Sequence, residues 1–591
     1  MVFIPISLTQ GTIANVFRQF AVTIAIAVLF SLLVSFTVVP LLYSRFGKID
    51  EFNRQGFIGK GIHAFESRIE KIAGWFSNLL GWSLSHKLIT LVVTLVLLVG
   101  SVSLIAFGFI GSDLAPQGDQ GQFVIKMELP RDVSIEETNQ AAYKAENALR
   151  SSPLVETVFT TVGAEENGQP QARLADLRVK MTPHSQRNIS TSDFSQEAKQ
   201  FLQQHIPGAQ IGVAMTDLMG NIDEAPVQYY ITGHNIDSVR VAANLILGSI
   251  KSIKGIVDPK LSAKESSPEI SIIPDRDKMS AMGIPFEVLG RTLNNAFSGN
   301  NDAKFRQDEY EYDINIRLDN FDRKSRTDVE NLTLINTSGE AVKLKQFARI
   351  EETDAPGILE RRNRSACITL NSQVGGRPTG DIGQDVSQLI NTLDLPENIT
   401  VIPGGELEMQ DESFGTMGLA LIISILLVYL IMVLLYNNYI YPFVVLISIP
   451  LAIIGALLAL ALTMDTLNLF TLLGLLALIG LVAKNAIILV DFTNQSKAKG
   501  IGLKDALIEA TRQRFRPILM TTAATVIGML PIALATGAGA EWKNGLAWVM
   551  IGGLISSMFL TLIVVPVVYY VMDRILAKLG LNREKIIEIK E

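Results

Sequence analysis

Seven apolar runs punctuate this chain, at approximately 20–43, 88–109, 418–436, 442–462, 467–491, 518–536 and 545–572. Each approaches the roughly 20 residues that a membrane-crossing helix needs. Backbone polar groups in lipid must be satisfied within the segment itself, so the runs predict helices. Gly455, Gly474, Gly480, Gly528, Gly552 and Gly553 within them permit close helix packing, and Pro450, Pro531 and Pro566 would kink or break their helices.

Between 110 and 417 the pattern changes to short alternating segments separated by turn residues. Residues 122–129 read as a strand. The stretch 134–150 opens on Ser134 and Glu137, a capping-box pair, and reads as a helix. Strands at 154–162 and 173–182 follow. A similar set comes next: a strand at 226–232, a helix near 237–251, and strands near 255–262 and 268–274. The order suggests two α+β units of split βαβ type. Residues 300–350 differ, with strands around EYEYDINIRL and a hairpin about Ser338-Gly339, as an inserted docking element would. A strand at 366–372 and a helix near 380–393 return the chain to the membrane. The predicted fold is therefore a polytopic α-helical membrane protein with seven spans and a large α+β region.

Composition agrees. The 591 residues are 48% hydrophobic and 18% charged, with net charge −7, and the mean hydropathy is +0.31. No basic face points to nucleic acid. A lone cysteine, Cys367, excludes an intrachain disulfide, and the five histidines form no zinc-type pair. No nucleophile–base or metal triad supports an enzyme.

Basic residues set the orientation. Arg45, Lys48, Arg54, Lys60, Arg68, Lys71 and Lys87 fall in the 44–87 link. Lys497, Lys499, Lys504, Arg512, Arg514 and Arg516 fall in 492–517, and Arg574, Lys578, Arg583, Lys585 and Lys590 in the tail. All three lie on one side if the spans alternate, which makes that side cytoplasmic. The 44–87 link then reads as cytoplasmic and amphipathic, 110–417 lies outside, and the first span begins outside after only a short lead-in. The expectation is a chain whose upstream spans are missing.

One charge lies in the interior of the apolar runs: Lys484. A mid-bilayer lysine costs about 2.5–3.5 kcal/mol or more unless paired or wetted. Asp491 shares its helix face but stands seven residues on, about 10 Å of rise away. No other run holds a carboxylate, so the partner is expected from another chain or another segment. Asn485 is able to hydrogen-bond a neighbouring helix. Arg514 is open to two readings, an interfacial anchor or a relay neighbour. Thr521 is likewise either a relay hydroxyl or one back-bonded to its own helix.

These residues resemble a known family. Gly480-Leu-Val-Ala-Lys-Asn-Ala-Ile-Ile-Leu-Val-Asp-Phe492 is similar to the signature helix of resistance-nodulation-division (RND) efflux pumps. Arg514-Phe-Arg-Pro-Ile-Leu-Met-Thr521 with Gly537-Ala-Gly539 resembles the next helix and its outer turn, and Phe3-Ile-Pro with Arg18-Gln-Phe-Ala-Val-Thr-Ile the family's sixth helix. The resemblance implies the C-terminal half, from the sixth helix onward, of a proton-driven multidrug exporter of hydrophobic and amphiphilic compounds. It implies a homotrimer in a Gram-negative inner membrane, working with a periplasmic adaptor and an outer-membrane channel. It further implies ferredoxin-like porter subdomains and a docking subdomain, no cofactor beyond the proton motive force, and a relay of Lys484, Asn485, Arg514 and Thr521. That relay awaits a pair of aspartates from a missing N-terminal half. Alternate residues Val227, Tyr229 and Ile231 fall where substrate-cleft side chains would sit, or else form sheet core.

Three alternatives stand beside this reading: a heavy-metal RND pump, an accessory export factor acting on polypeptides, and a non-transporting split-gene subunit. Metal export would want converging thioethers. Met127, Met181, Met215, Met219, Met279 and Met282 are scattered in sequence.

Overall fold

A computed structural model describes residues 3–7, 12–47, 57–116, 118–130, 133–166, 169–215, 225–263, 267–323, 325–355, 359–537 and 539–578. Lys48, Arg54, Met219, Arg583, Lys585 and Lys590 lie outside them. The chain forms two compact units. One comprises Met1–Tyr230, Asn244–Lys260 and Leu370–Glu591, and the other Ile231–Ala243 and Leu261–Thr369.

Within the described residues, seven helices are long and apolar enough to cross a membrane: Phe17–Phe46, Lys87–Ala106, Gly405–Tyr436, Ile440–Thr463, Leu469–Ala498, Leu503–Ala533 and Glu541–Lys578. Several overrun the apolar windows. Gly405–Tyr436 begins thirteen residues before 418, because a helix continues wherever its own backbone bonds close, whatever the polarity of its surface. The fourth is broken between Ile440–Leu446 and Ser448–Thr463. Pro450 explains the break: it has no N–H for the Leu446 carbonyl, and its ring crowds that carbonyl. Pro531 and Pro566 stay inside continuous helices.

Glu541–Lys578 packs against Ser448–Thr463, Leu469–Ala498 and Leu503–Ala533. Its contact with Ser448–Thr463 is backbone-close. A Cβ at Gly455 would strike the Gly552 carbonyl and Ser556 Oγ, and one at Gly552 would strike the Gly455 carbonyl. Around this seam Val444, Leu451, Ile454, Val565 and Tyr569 form a buried core that also takes in Leu80 and Leu84. Those two belong to Phe57–Ser85, the link helix, whose Phe76 also stacks on Phe559 at 5.6 Å and meets Phe515 at 5.3 Å. The first span differs. Phe17 and Ala21 pack against Leu469 and Leu473, but nearly every residue beyond Ala21 is exposed.

Outside the spans, the same unit carries a four-stranded antiparallel sheet. Its strands are Gln122–Glu128, Val155–Val162, Leu174–Met181 and Gln210–Met215, and their lateral order is second, third, first, fourth. Phe123, Ile125 and Met127 alternate inward beneath Ala142, Ala145 and Leu149 of the Ile135–Arg150 helix. Ser134 and Glu137 cap that helix reciprocally. The sequence pattern assigns nothing between 183 and 225, where the structure has a helix, Thr191–His205, and the fourth strand. Ser190 caps that helix through the Asp193 N–H, and Phe194, Ala198 and Leu202 turn inward at intervals of four. A second sheet has the order Glu360–Arg362, Ser365–Val374, Val227–Gly233, Thr400–Gly404, with Ile256–Leu261 pairing the second of these.

The other unit holds the paired strands Ser267–Pro274 and Ala348–Ala355 over a core of Met279, Leu289, Leu344 and Phe347. The hairpin about Ser338-Gly339 is present, with Thr333–Ile335 paired to Ala341–Lys343. A second hairpin, Asn300–Gln307 with Tyr310–Ile316, is exposed along nearly its whole length.

The segment 111–114 joins the spans to the α+β region through main-chain groups. The Leu467 N–H donates to the Gly111 carbonyl at 2.7 Å, the Asp113 N–H to the Leu467 carbonyl at 3.0 Å, and the Leu469 N–H to the Leu114 carbonyl at 3.2 Å. On its other side the Gly380 N–H donates to the Ser112 carbonyl at 3.1 Å.

Adding a methyl at the helix seam tests the packing. Gly455→Ala should destabilise the chain by about 1–3 kcal/mol, because the obstructing atoms include a carbonyl that cannot rotate away. Detergent-titrated unfolding followed by circular dichroism measures this, and an unchanged midpoint would refute the close approach.

Candidate functional site

Leu469–Ala498 starts on a full cap: the Asn468 side chain accepts from the Phe470 and Thr471 N–H groups at 3.0 and 3.1 Å. Along it the residues divide cleanly by face. Val482, Ala483, Ala486, Leu489 and Val490 are buried against the bundle, while Gly480, Lys484 and Asp491 are exposed. Lys484 therefore lies on a face of a membrane-length helix that this chain leaves uncovered. Among the described residues no carboxylate pairs with it. Asp491 on the same face accepts from the Gln495 side chain at 2.8 Å.

The other predicted relay residues separate. Asn485 is buried, turned away from the face that bears Lys484. Thr521 is exposed, and its hydroxyl donates back to the Pro517 and Ile518 carbonyls at 3.2 and 3.1 Å, the self-bonded alternative. Arg514 is half-buried. Its guanidinium lies 4.9 Å from the centre of the Phe492 ring, while its Nε is buried without a hydrogen-bond partner. The structure thus leaves Lys484 and Thr521 each on an exposed face and Arg514 against an aromatic ring.

Val227, Tyr229 and Ile231 are each 2% exposed or less, the sheet-core alternative of the two readings. Alternation does put them on one face of the strand, but that face is covered. The Tyr229 hydroxyl donates to the Gly383 carbonyl at 2.7 Å and lies 3.0 Å from Ser387 Oγ. Burial pushes its phenol up to about 12.

The reading by sequence missed a polar seam at the opposite end of Leu469–Ala498. Lys497, counted there only as a basic residue of a loop, pairs with Asp573 at 2.8 Å, with side chains 16% and 11% exposed. One turn back, Asn494 Oδ1 accepts from the Tyr569 hydroxyl at 2.6 Å, and Tyr569 stacks on Tyr441 at 5.3 Å. The Tyr436 hydroxyl donates to the Ile487 carbonyl, inside the helix, at 2.9 Å. The only signal in the sequence was Asp573, an acid at the end of an otherwise basic flank. The seam fixes Leu469–Ala498 against two neighbours while the Lys484 face stays open.

A profile of the AcrB/AcrD/AcrF family matches residues 1–573. The chain belongs to this family. Its relatives are RND transporters. The swarming motility protein SwrC of Bacillus subtilis is 29% identical over 579 residues, which is 97% of this chain and 53% of that protein. The multidrug resistance protein MdtC of Photorhabdus laumondii is 29% identical over 585 residues, 98% of this chain and 55% of that protein. The chain thus spans about half the length of the curated relatives it matches. Crystal structures of a heavy metal efflux pump superpose with TM-scores of 0.78 and 0.77 at 23% and 24% identity, covering 97% of this chain and 56% of that one. At that identity they show the RND fold alone: apolar helices with mixed α/β content in a membrane protein.

The Lys497–Asp573 pair yields a stability test. Asp573→Ala removes the carboxylate facing the mostly buried Lys497 ammonium and should destabilise the chain by about 1–3 kcal/mol, while the double replacement Lys497→Met with Asp573→Leu should recover most of that loss. Unfolding midpoints in mixed micelles measure both; equal losses in the two variants would contradict the pairing.

Proposed function

We propose that this RND chain is part of a proton-driven exporter of hydrophobic and amphiphilic compounds, with Lys484 as the cationic centre of its proton relay. One observation carries the reading: an ammonium on the uncovered face of a membrane-length helix. Such a charge is tolerable in lipid only beside a counter-charge or water. A carboxylate-bearing helix from a segment outside this sequence would supply it, and protonation of those carboxylates would release their hold on Lys484. Coupling then requires two conformations that differ in proton affinity. In this reading Arg514, Thr521 and Asn485 are the further relay residues, and they would have to leave their present partners, the Phe492 ring for Arg514 and its own helix carbonyls for Thr521, to reach Lys484.

In the same reading, 110–417 is periplasmic, its split βαβ parts are ferredoxin-like porter subdomains, and the insert near 300–350 is the docking element. The assembly is a homotrimer in a Gram-negative inner membrane, joined by a periplasmic adaptor and an outer-membrane channel. The names of the MdtC relatives favour multidrug substrates.

Heavy-metal export is the second reading, favoured by the titles of the two superposed structures. The methionines do not support it. Met127 and Met181 are in the core of the four-stranded sheet, and Met279 is in the core of the other unit.

Expression in a pump-deleted Gram-negative host tests the assignment through dye accumulation. The chain alone should leave accumulation unchanged, and co-expression with the N-terminal half of a related pump should lower it. In that completed pump Lys484→Ala should abolish export without loss of oligomer, read by blue native electrophoresis. Export by the Lys484→Ala pump would remove the lysine from the mechanism, and copper tolerance without dye export would favour the metal reading.

A further inference from the structure

Asp113 stands at the point where 111–114 is strung between the 464–468 loop and the start of the Thr379–Thr392 helix. It is 5% exposed, although it follows the second span by only a few residues. Its own carboxylate accepts from the Leu114 N–H at 3.0 Å. Its neighbour Ser112 binds a second acid: the Ser112 N–H and hydroxyl donate to Asp381 Oδ1 at 2.9 and 3.3 Å. The space is tight. A Cβ at Gly111 would meet Asp381 Oδ2 and Pro378, and one at Gly380 would meet Ser112 and the buried Gln410 side chain. Thr379, 1% exposed, faces Asp113 with a hydroxyl that forms no well-shaped hydrogen bond. A carboxyl group in so closed a space, with a second acid bound to the neighbouring Ser112, is costly to ionise.

We propose that Asp113 is a proton-binding site that sets the rigidity of the joint between the membrane helices and the α+β region. Protonated, it sits neutral among Leu114, Thr379 and Asp381 and the joint is tight. Ionised, it is a second negative charge beside Asp381 in a poorly solvated space, and the 379–381 end of the helix is pushed away.

The charged groups carried by the packed elements are few. The Thr379–Thr392 helix brings Asp381 and Asp385, the latter paired with Arg377 at 2.9 Å. Gly405–Tyr436 brings Glu406, Glu408, Asp411 and Glu412, besides the neutral Gln410. The loop brings Asp465, 3.4 Å from the Thr463 hydroxyl, its own carboxyl pushed up by burial. Of these, Asp381 acts on Asp113. Burial first, and then the Asp381 charge, push the Asp113 carboxyl up to about 7, against the Leu114 hydrogen bond and the nearby polar groups of Thr379. A carboxyl raised in the folded state contributes stability below about 4 that is lost as the pH rises through about 7. The joint is therefore tight in mild acid and loose in mild alkali. This inference stands apart from the transport reading.

Difference infrared spectroscopy on the full chain in nanodiscs tests it, by following the carbonyl stretch of protonated carboxyl groups. One such band should vanish with a midpoint near 7 and be absent in Asp113→Asn. A midpoint in the ordinary carboxylate range, or a band that survives in Asp113→Asn, would overturn the proposal. Asp381→Asn guards against misfolding of the first variant. It leaves Asp113 in place, removes the like charge, and should lower the midpoint; an unmoved midpoint would overturn the coupling. Hydrogen exchange at the Gly380 amide, with intrinsic exchange corrected for pH, should speed as pH passes 7 in the natural chain and not in Asp113→Asn. Equal pH profiles would show that the charge leaves the joint unchanged.

Discussion

The membrane part of this protein depends on two helices meeting at the level of their backbones. Where Gly455 meets Gly552, side chains are absent and carbonyl oxygens approach the facing helix directly. Lipid offers no hydrophobic drive to bring helices together, so close packing and polar contact must do it. The same seam gives Ser556 a partner across the gap, its hydroxyl donating to the Leu451 carbonyl at 3.0 Å. With Glu541–Lys578 fixed there, Leu469–Ala498 is held on its buried side, and the Lys484 side is left without a neighbour.

Much of the membrane architecture was legible in the sequence. Apolar length locates spans because backbone satisfaction in lipid leaves no alternative to a helix. The ends were less legible: Gly405–Tyr436 begins on Gly-Glu-Leu-Glu, outside any apolar window. The break before Pro450 followed from ring geometry. In the α+β region, the Ser134–Glu137 pair announced its helix. The equivalent Ser190–Asp193 signal preceded a segment too rich in Gln, Lys and Glu for its inward residues to stand out, so the helix over Thr191–His205 went unassigned.

The candidate site shows where such reading stops. Lys484 was visible because a lone charge among apolar residues is costly. Val227, Tyr229 and Ile231 were visible as one face of a strand, but period-two alternation says that a face is covered and not by what. Here the cover is protein, with Gly383 against the Tyr229 hydroxyl. Lys497 and Asp573 are 76 residues apart, and each looked like an ordinary flanking charge. Asp113 was equally silent, since an acid just past an apolar run is commonplace until the fold encloses it.

The joint around residues 111–114 is held by amide groups, with the Asp381 and Asp113 carboxylates taking the Ser112 and Leu114 N–H groups. Its shape is accordingly written into the path of the chain, with Gly111 and Gly380 leaving no room for a side chain where the strands of that path cross. Any movement of the α+β region is thereby obliged to pass through a short stretch of main chain, so a shift there is handed directly to the ends of the spans.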